Sequence, residues 1–146
     1  MKTKKAKKPI SEEFVKRATI KWLLSNGWTK NLHYTIDGEK GEDIRVRNTK
    51  VARYFIIETK GDGKKSGQSK DENNFVVGFG QIQTRITTRK KGYYYGLSLP
   101  ASSAKIAIRR IPYQLANELK LHVFSVSENG KVTEYKPSDL KRHQKK

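Results

Sequence analysis

Two neighbouring apolar segments of this sequence carry groups able to hold a divalent cation and activate water: Asp43 in "GEDIRV", and Glu58 and Lys60 in "YFIIETKG". Carboxylates are hard oxygen ligands, and two of them facing each other repel unless something cationic lies between them. Mg²⁺ suits such a pair because it takes oxygen ligands and keeps positions open for water. An ammonium beside the metal can orient that water and stabilise the hydroxide formed from it. Metal, water and positive charge around one phosphate are what phosphodiester hydrolysis requires.

In so basic a chain an acid two residues before a lysine is a weak marker, and Asp62-Gly63-Lys64, Glu118-Leu119-Lys120, Glu134-Tyr135-Lys136 and Asp139-Leu140-Lys141 also fit it. Context separates Glu58-Thr59-Lys60 from these. It ends a strongly apolar run, follows another acid-bearing segment, and precedes a glycine that lets the backbone turn away. A hairpin closed around residues 49–52 would set Asp43 opposite Glu58 and Ile44 opposite Ile57. Alternation along the strands then gathers Asp43, Glu58 and Lys60 on one face, leaving Ile44, Val46, Phe55 and Ile57 to cover the other. The same spacing also fits ordinary charges on a solvated sheet face, with Asp43 and Lys60 in a weak cross-strand pair.

The elements around these residues read as one domain over residues 11–140. Ser11 caps a helix with acids in its first turn, closed by Gly27, with Phe14, Val15, Ala18 and Trp22 on one face. Three strands with antiparallel connections follow: "LHYTID", then "EDIRVRN" after the turn "GEKG", then "VARYFIIETKG". Residues 62–74 lack apolar periodicity and read as a basic loop. "FVVGFGQIQTRITTR" is a helix ending near Lys91-Gly92, and "YYYGLSLP" is a strand contributing at least one tyrosine to the core. "SSAKIAIRRIPYQLANELK" is helical on both sides of Pro112, or has "KIAIRRI" as an edge strand. "LHVFSV" and "VTEYK" form a final pair. The expected fold is α/β (α+β), a central mixed sheet flanked by helices. Residues 1–10 and 141–146 read as disordered basic tails.

The 146 residues carry 32 Lys and Arg against 14 Asp and Glu, a formal net charge of +18. Nucleic acid is the simplest polyanion to match that excess. No run approaches the roughly 20 apolar residues that span a bilayer, and the basic start lacks the apolar segment of a signal peptide, so the expected location is cytoplasmic, on DNA. Cysteine is absent, which removes disulfide and thiolate-zinc chemistry.

With these residues in view, most of the chain resembles the PD-(D/E)xK nuclease superfamily, which includes restriction endonucleases and Holliday-junction resolvases. Asp43 matches the first acid, Glu58 the second and Lys60 the lysine, while Glu42 stands where the family usually has proline. The resemblance implies a restriction endonuclease-like core and a Mg²⁺-dependent DNA nuclease, with Mn²⁺ able to substitute. It assigns the metal to Asp43, Glu58 and the Thr59 carbonyl, and the water to Lys60. It adds Gln81 on the following helix near the scissile phosphate, with Gln83 and Arg85 close by, and Glu12 on the first helix as a further metal ligand. Small nucleases of this kind often act as homodimers. Lys64, Lys65, Lys70, Arg85, Arg89, Arg109 and Arg110 are the expected phosphate contacts. A non-enzymatic basic nucleic-acid-binding protein, including a nuclease fold that has lost its chemistry, is the competing reading.

Overall fold

The computed structural model describes residues 9–35, 42–62 and 68–145. The turn at 38–41, Lys64, Lys65 and residues 1–8 of the basic tail lie outside them. Helix α1 spans Glu12–Ser25, and Ser11 Oγ accepts a hydrogen bond from Phe14 N (3.1 Å) at its start. Its buried residues are Val15, Lys16, Thr19 and Leu23, while Phe14 is 37% exposed. The face turned inward is therefore displaced from the expected one by about one residue step, roughly 100°. Polar partners cause the displacement: Lys16 donates to Thr35 O (2.9 Å), and Thr19 Oγ1 lies 2.7 Å from Ser98 Oγ.

Strands β1 (Trp28–Tyr34), β2 (Ile44–Asn48) and β3 (Tyr54–Thr59) form an antiparallel meander. The β2–β3 register is the expected one, with Ile44 opposite Ile57 and Val46 opposite Phe55. Strand β1 begins earlier than "LHYTID" suggests, because Trp28 packs edge-on against Phe55 (centroids 4.8 Å apart). It is an edge strand with register shifts around Asn31, whose φ is +53°.

Helix α2 (Gln68–Thr84) leads to β4 (Tyr93–Pro100), which runs parallel to β3. Helices α3 (Ala101–Arg110) and α4 (Tyr113–Leu119), on either side of Pro112, lead to β5 (Leu121–Val126), parallel to β4. Strand β6 (Val132–Tyr135) is antiparallel to β5, and α5 (Pro137–Gln144) follows. The sheet runs β1-β2-β3-β4-β5-β6, so it is mixed and flanked by helices.

Two segments differ from expectation. Helix α2 starts at Gln68, inside the expected loop, and ends at Thr84, short of Lys91. Its first turns are polar yet satisfied by tertiary partners: Asp71 accepts from Ser102 Oγ (2.9 Å) and Asn74 donates to Asp62 (3.0 Å). Residues 141–144, expected in a disordered tail, continue α5. Pro137 opens that helix, Asp139 accepts from Lys136 N (2.9 Å), and Leu140 is fully buried. Gln144 then donates to Ile108 O (2.9 Å), tying the helix end to α3.

On one face of the sheet Ile56, Tyr95, Leu97, Leu99 and Val123 pack with α2 to α5. On the other, Ile44, Val46, Phe55, Ile57 and Phe124 pack with Leu23 of α1. No helix among the described residues is long and apolar enough to cross a membrane.

The end of β3 is fastened to the start of α1. Asp62 N donates to Ile10 O (2.6 Å), and Asp62 Oδ2 accepts from Ile10 N (3.1 Å). Ile10 is thus paired rather than part of a free tail. A Cβ on Gly61 would lie 2.0 Å from Glu12 N, so this contact of backbone on backbone admits glycine alone. Gly61→Ala is expected to lower stability by more than about 2 kcal/mol, read as a fall in the denaturant midpoint at unchanged slope.

Candidate active site

Side chains alternate along β3, so Glu58 turns to the face lined by α2 while Thr59 turns to α1. Lys60, one residue past the strand, returns to the side of Glu58. Asp43 stands just before β2, at the strand end opposite Glu58. Its Oδ2 accepts from Thr59 N (2.8 Å), its Oδ1 accepts from Thr35 Oγ1 (3.3 Å), and Lys16 Nζ lies 3.6 Å from Oδ1. The expected repulsion between two carboxylates is therefore relieved in part from within, by a buried lysine of α1.

Glu58 is 4% exposed. Its Oε2 has no hydrogen-bond partner, and Arg85 Nε, 3.8 Å away, has none either. Burial and the neighbouring Asp43 charge push the Glu58 carboxyl up to about 8, against the opposing pull of Arg85 and Lys60. A hydrogen bond between the Asp43 and Glu58 carboxyls acts in the same direction, since it needs a proton on one of them.

Lys60 Nζ lies 3.9 Å from Glu12 Oε1, so Glu12 stands at the rim of the site beside the lysine. Glu13 is instead exposed and paired with Arg17 (2.8 Å). The Lys60 stem passes close to Gly78 of α2, where a Cβ would come within 3.1 Å of its Cγ. Gly78, Gln81 and Arg85 recur at helical spacing on one stripe of α2 and the turn after it. Gly78 meets Lys60 and Arg85 meets Glu58, so Gln81 stands on that stripe between the two contacts.

The other basic residues are spread more widely. Lys70 lies 3.7 Å from Asp62. Arg89 donates to Glu118 O, and Arg110 pairs with Glu72 (2.9 Å) and lies over the Phe75 ring (5.4 Å). Arg109 lies with Lys105 beside a separate cavity on α3. None of these three arginines contacts the Asp43–Glu58 pair, whereas Arg85, expected at phosphate, lies directly against it.

Sequence reading missed Lys16 and Thr35. The available signal was a lysine between Val15 and Thr19, one turn after Glu12, on the flank of an apolar stripe. A lysine there reads as solvated unless a buried acid partner is known.

Among the described residues no three His, Cys, Asp or Glu side chains come together. A cation at this place would therefore take Asp43, Glu58 and the Thr59 carbonyl, with water completing the shell. The donors fit a hard ion, and the unpartnered buried Oε2 of Glu58 is the atom such an ion would satisfy.

The raised Glu58 carboxyl has a consequence for stability. Above its unfolded value of 4.5 the folded protein holds a proton that the unfolded chain releases. The contribution of Glu58 to the stability of the metal-free protein is therefore fully present below about 4.5 and is lost as pH rises through about 8, at up to about 1.4 kcal/mol per pH unit. Chemical denaturation across that window should show this slope for the wild type and lose most of it in Glu58→Gln. Equal slopes would mean that Glu58 does not hold the proton.

No protein-family model and no curated protein matches the chain. Among solved structures, an XisH family protein from Nostoc punctiforme PCC 73102 is similar, with a TM-score of 0.53 at 13% identity over 84% of this chain and 98% of that one. At that identity the likeness concerns the fold: the mixed α+β architecture recurs, end to end, in a protein of almost unrelated sequence.

Proposed function

We propose that this chain is a metal-dependent nuclease of the PD-(D/E)xK type that hydrolyses phosphodiester bonds in DNA. The observation that carries the reading is the meeting of Asp43, Glu58 and Lys60 at one strand end, with a buried, unpartnered carboxylate oxygen on Glu58. Asp43, Glu58 and the Thr59 carbonyl would hold Mg²⁺ or Mn²⁺. Once bound, such an ion supplies a Lewis acid for the phosphate and lowers the pKa of a water.

The chain's own residues do the rest. Glu58 would have to give up its proton to become a ligand, so metal binding would compete with protonation and strengthen towards alkaline pH. Lys16 and the Thr59 N–H hold Asp43 in place from behind. Lys60, restrained by Glu12 and by the Gly78 contact, presents an ammonium that orients the attacking water and steadies the hydroxide. Arg85, held near Glu58 by charge and not by a hydrogen bond, would be available to turn its guanidinium to the phosphate. Gln81 stands on the same helix stripe, between the contacts of Gly78 and Arg85. The net charge of +18 draws the polyanion in.

The test is incubation with supercoiled, linear, single-stranded and four-way-junction DNA, with Mg²⁺ and with EDTA. Cleavage of one or more with Mg²⁺ and none with EDTA is expected. Absence of cleavage with Mg²⁺ and with Mn²⁺ on all four would favour the second reading, an inactive nuclease-fold module that binds nucleic acid. One feature supports that alternative: Arg85 already serves as an internal counter-ion for Glu58.

A further inference from the structure

A second constellation lies at the other end of the sheet and on its other face. Glu58 and Lys60 mark the end of β3 on the α2 side, whereas Phe55, Tyr94 and His122 mark the starts of β3, β4 and β5 on the α1 side. There a cavity of about 580 Å³ opens between α1, the sheet and the start of α5. This volume is that of a small-ligand site.

Its wall is aromatic and built at right angles. Trp28 meets Tyr94 at 71°, Tyr94 meets His122 at 80°, and Phe55 meets His122 at 89°. Trp22 closes the α1 side. Such an aromatic box would serve a cationic ligand if its rim were acidic, but here the rim is basic. Arg53, Lys120 and Lys136 line it against one acid, Glu134. Arg53 Cζ and Lys120 Nζ lie 5.9 and 5.6 Å from the Tyr94 ring centre, so the positive charge sits on the aromatic surface itself. Glu134 is engaged, accepting from His122 Nδ1 at 2.9 Å. The acid is therefore turned to the histidine, and the three cations stand unopposed on the rest of the rim. Aromatic rings and three cations in one cavity together select a ligand that is planar and anionic.

We propose that this cavity binds one nucleotide unit, its base against the tryptophan and tyrosine rings and its phosphate between Arg53, Lys120 and Lys136. Stacking of a base on an aromatic side chain and a charge-assisted phosphate contact each suffice for measurable affinity. The site needs neither Asp43 nor Glu58, so it stands or falls independently of the nuclease reading. The unit is either a free mononucleotide or a nucleotide of a single strand held away from the acid cluster.

Trp22 and Trp28 are the only tryptophans in the chain, and both line the cavity. Intrinsic fluorescence therefore reports on it directly, excited at the red edge of the tryptophan band where bases do not absorb. The Glu58→Gln protein is titrated with dAMP, deoxyadenosine, inorganic phosphate and a short oligo-dA. Saturable quenching by dAMP is expected, at least about tenfold weaker in Arg53→Gln/Lys120→Gln, as the loss of about 1.4 kcal/mol implies. Lys105→Gln/Lys141→Gln removes the same charge from α3 and α5 and should leave binding unchanged. Deoxyadenosine and phosphate should each bind more weakly than dAMP. Tighter binding of the oligonucleotide than of dAMP assigns the site to a strand, and the reverse order assigns it to the free nucleotide. No saturable quenching by either at millimolar concentration, or equal weakening by the two double substitutions, overturns the proposal.

Discussion

Glu58→Gln and Lys60→Met should each lower the rate of Mg²⁺-dependent DNA cleavage by roughly a thousandfold or more while leaving DNA binding within a few-fold of wild type. Glutamine suits the first test better than alanine, because Glu58 is buried against Arg85 and a cavity there would confuse chemistry with folding. Glutamine is neutral like the protonated carboxyl and of the same shape, so retained binding with lost cleavage isolates the chemical step. Lys60 is more exposed, with its ammonium near Glu12 and its stem on Gly78, and methionine preserves that stem contact. Lys141→Ala, taken from a triplet of the same acid-x-lysine pattern on α5, serves as the matched control and should cleave normally. Ca²⁺ should support binding with little cleavage, since it accepts looser coordination and activates water less well. Wild-type nicking by either variant in a contaminant-free preparation would remove the nuclease assignment.

The second large effect concerns Asp43. Millimolar Mg²⁺, Mn²⁺ or Ca²⁺ should raise the melting temperature of the wild type at matched ionic strength, the stabilisation reaching about 2.7 kcal/mol when the ion is a hundredfold above its Kd. Asp43→Asn should lose most of that gain. Two opposing terms set its behaviour without metal. Repulsion with Glu58 disappears, but Lys16, whose side chain is 10% exposed, loses the carboxylate beside it. A buried cation left unpaired costs more than the relief of a carboxylate pair that already shares a proton, so the metal-free variant should be less stable by about 2 kcal/mol. Lys16→Met added to Asp43→Asn should recover part of this loss. Identical melts of wild type and Asp43→Asn under every condition would show that Asp43 neither holds a cation nor anchors Lys16.

The hairpin that carries the site was legible because period-two alternation is rigid. Once Ile44 and Ile57 must both be buried, a slip of one residue would expose the whole apolar face, so the register follows from pattern alone. Glu58 and Lys60 were separable from the decoy triplets by the apolar run before them. The third dimension was not legible. Lys16 and Thr19 read as polar flanks of α1, and only the contacts with Thr35, Asp43 and Ser98 turn them inward. The same holds for the first turns of α2, where Asp71 and Asn74 replace apolar anchors with hydrogen bonds to distant residues. The final helix was hidden by its charge: a run of lysine, arginine and histidine reads as tail, although positive charge in a last turn favours the helix dipole and Leu140 supplies the anchor. Arg85 shows the same limit within the site, since composition suggests phosphate for any arginine in a basic protein.

The order of strands in the sheet, identical to their order along the chain, bears on how the molecule assembles. No strand has to be inserted between two that are already joined, so each newly added one finds its single waiting edge on the strand made just before it. Chain closure then proceeds one neighbouring strand at a time, the longest step being the α2 crossover from β3 to β4, and its entropic cost is met gradually. During synthesis the β2–β3 hairpin can pair before β4 to β6 exist, but the contacts of α2 with Glu58 and Lys60 need a helix that leaves the ribosome later. The acidic pair is thus brought together early, beside Lys16 of α1, and Arg85, just past α2, joins it only as growth continues.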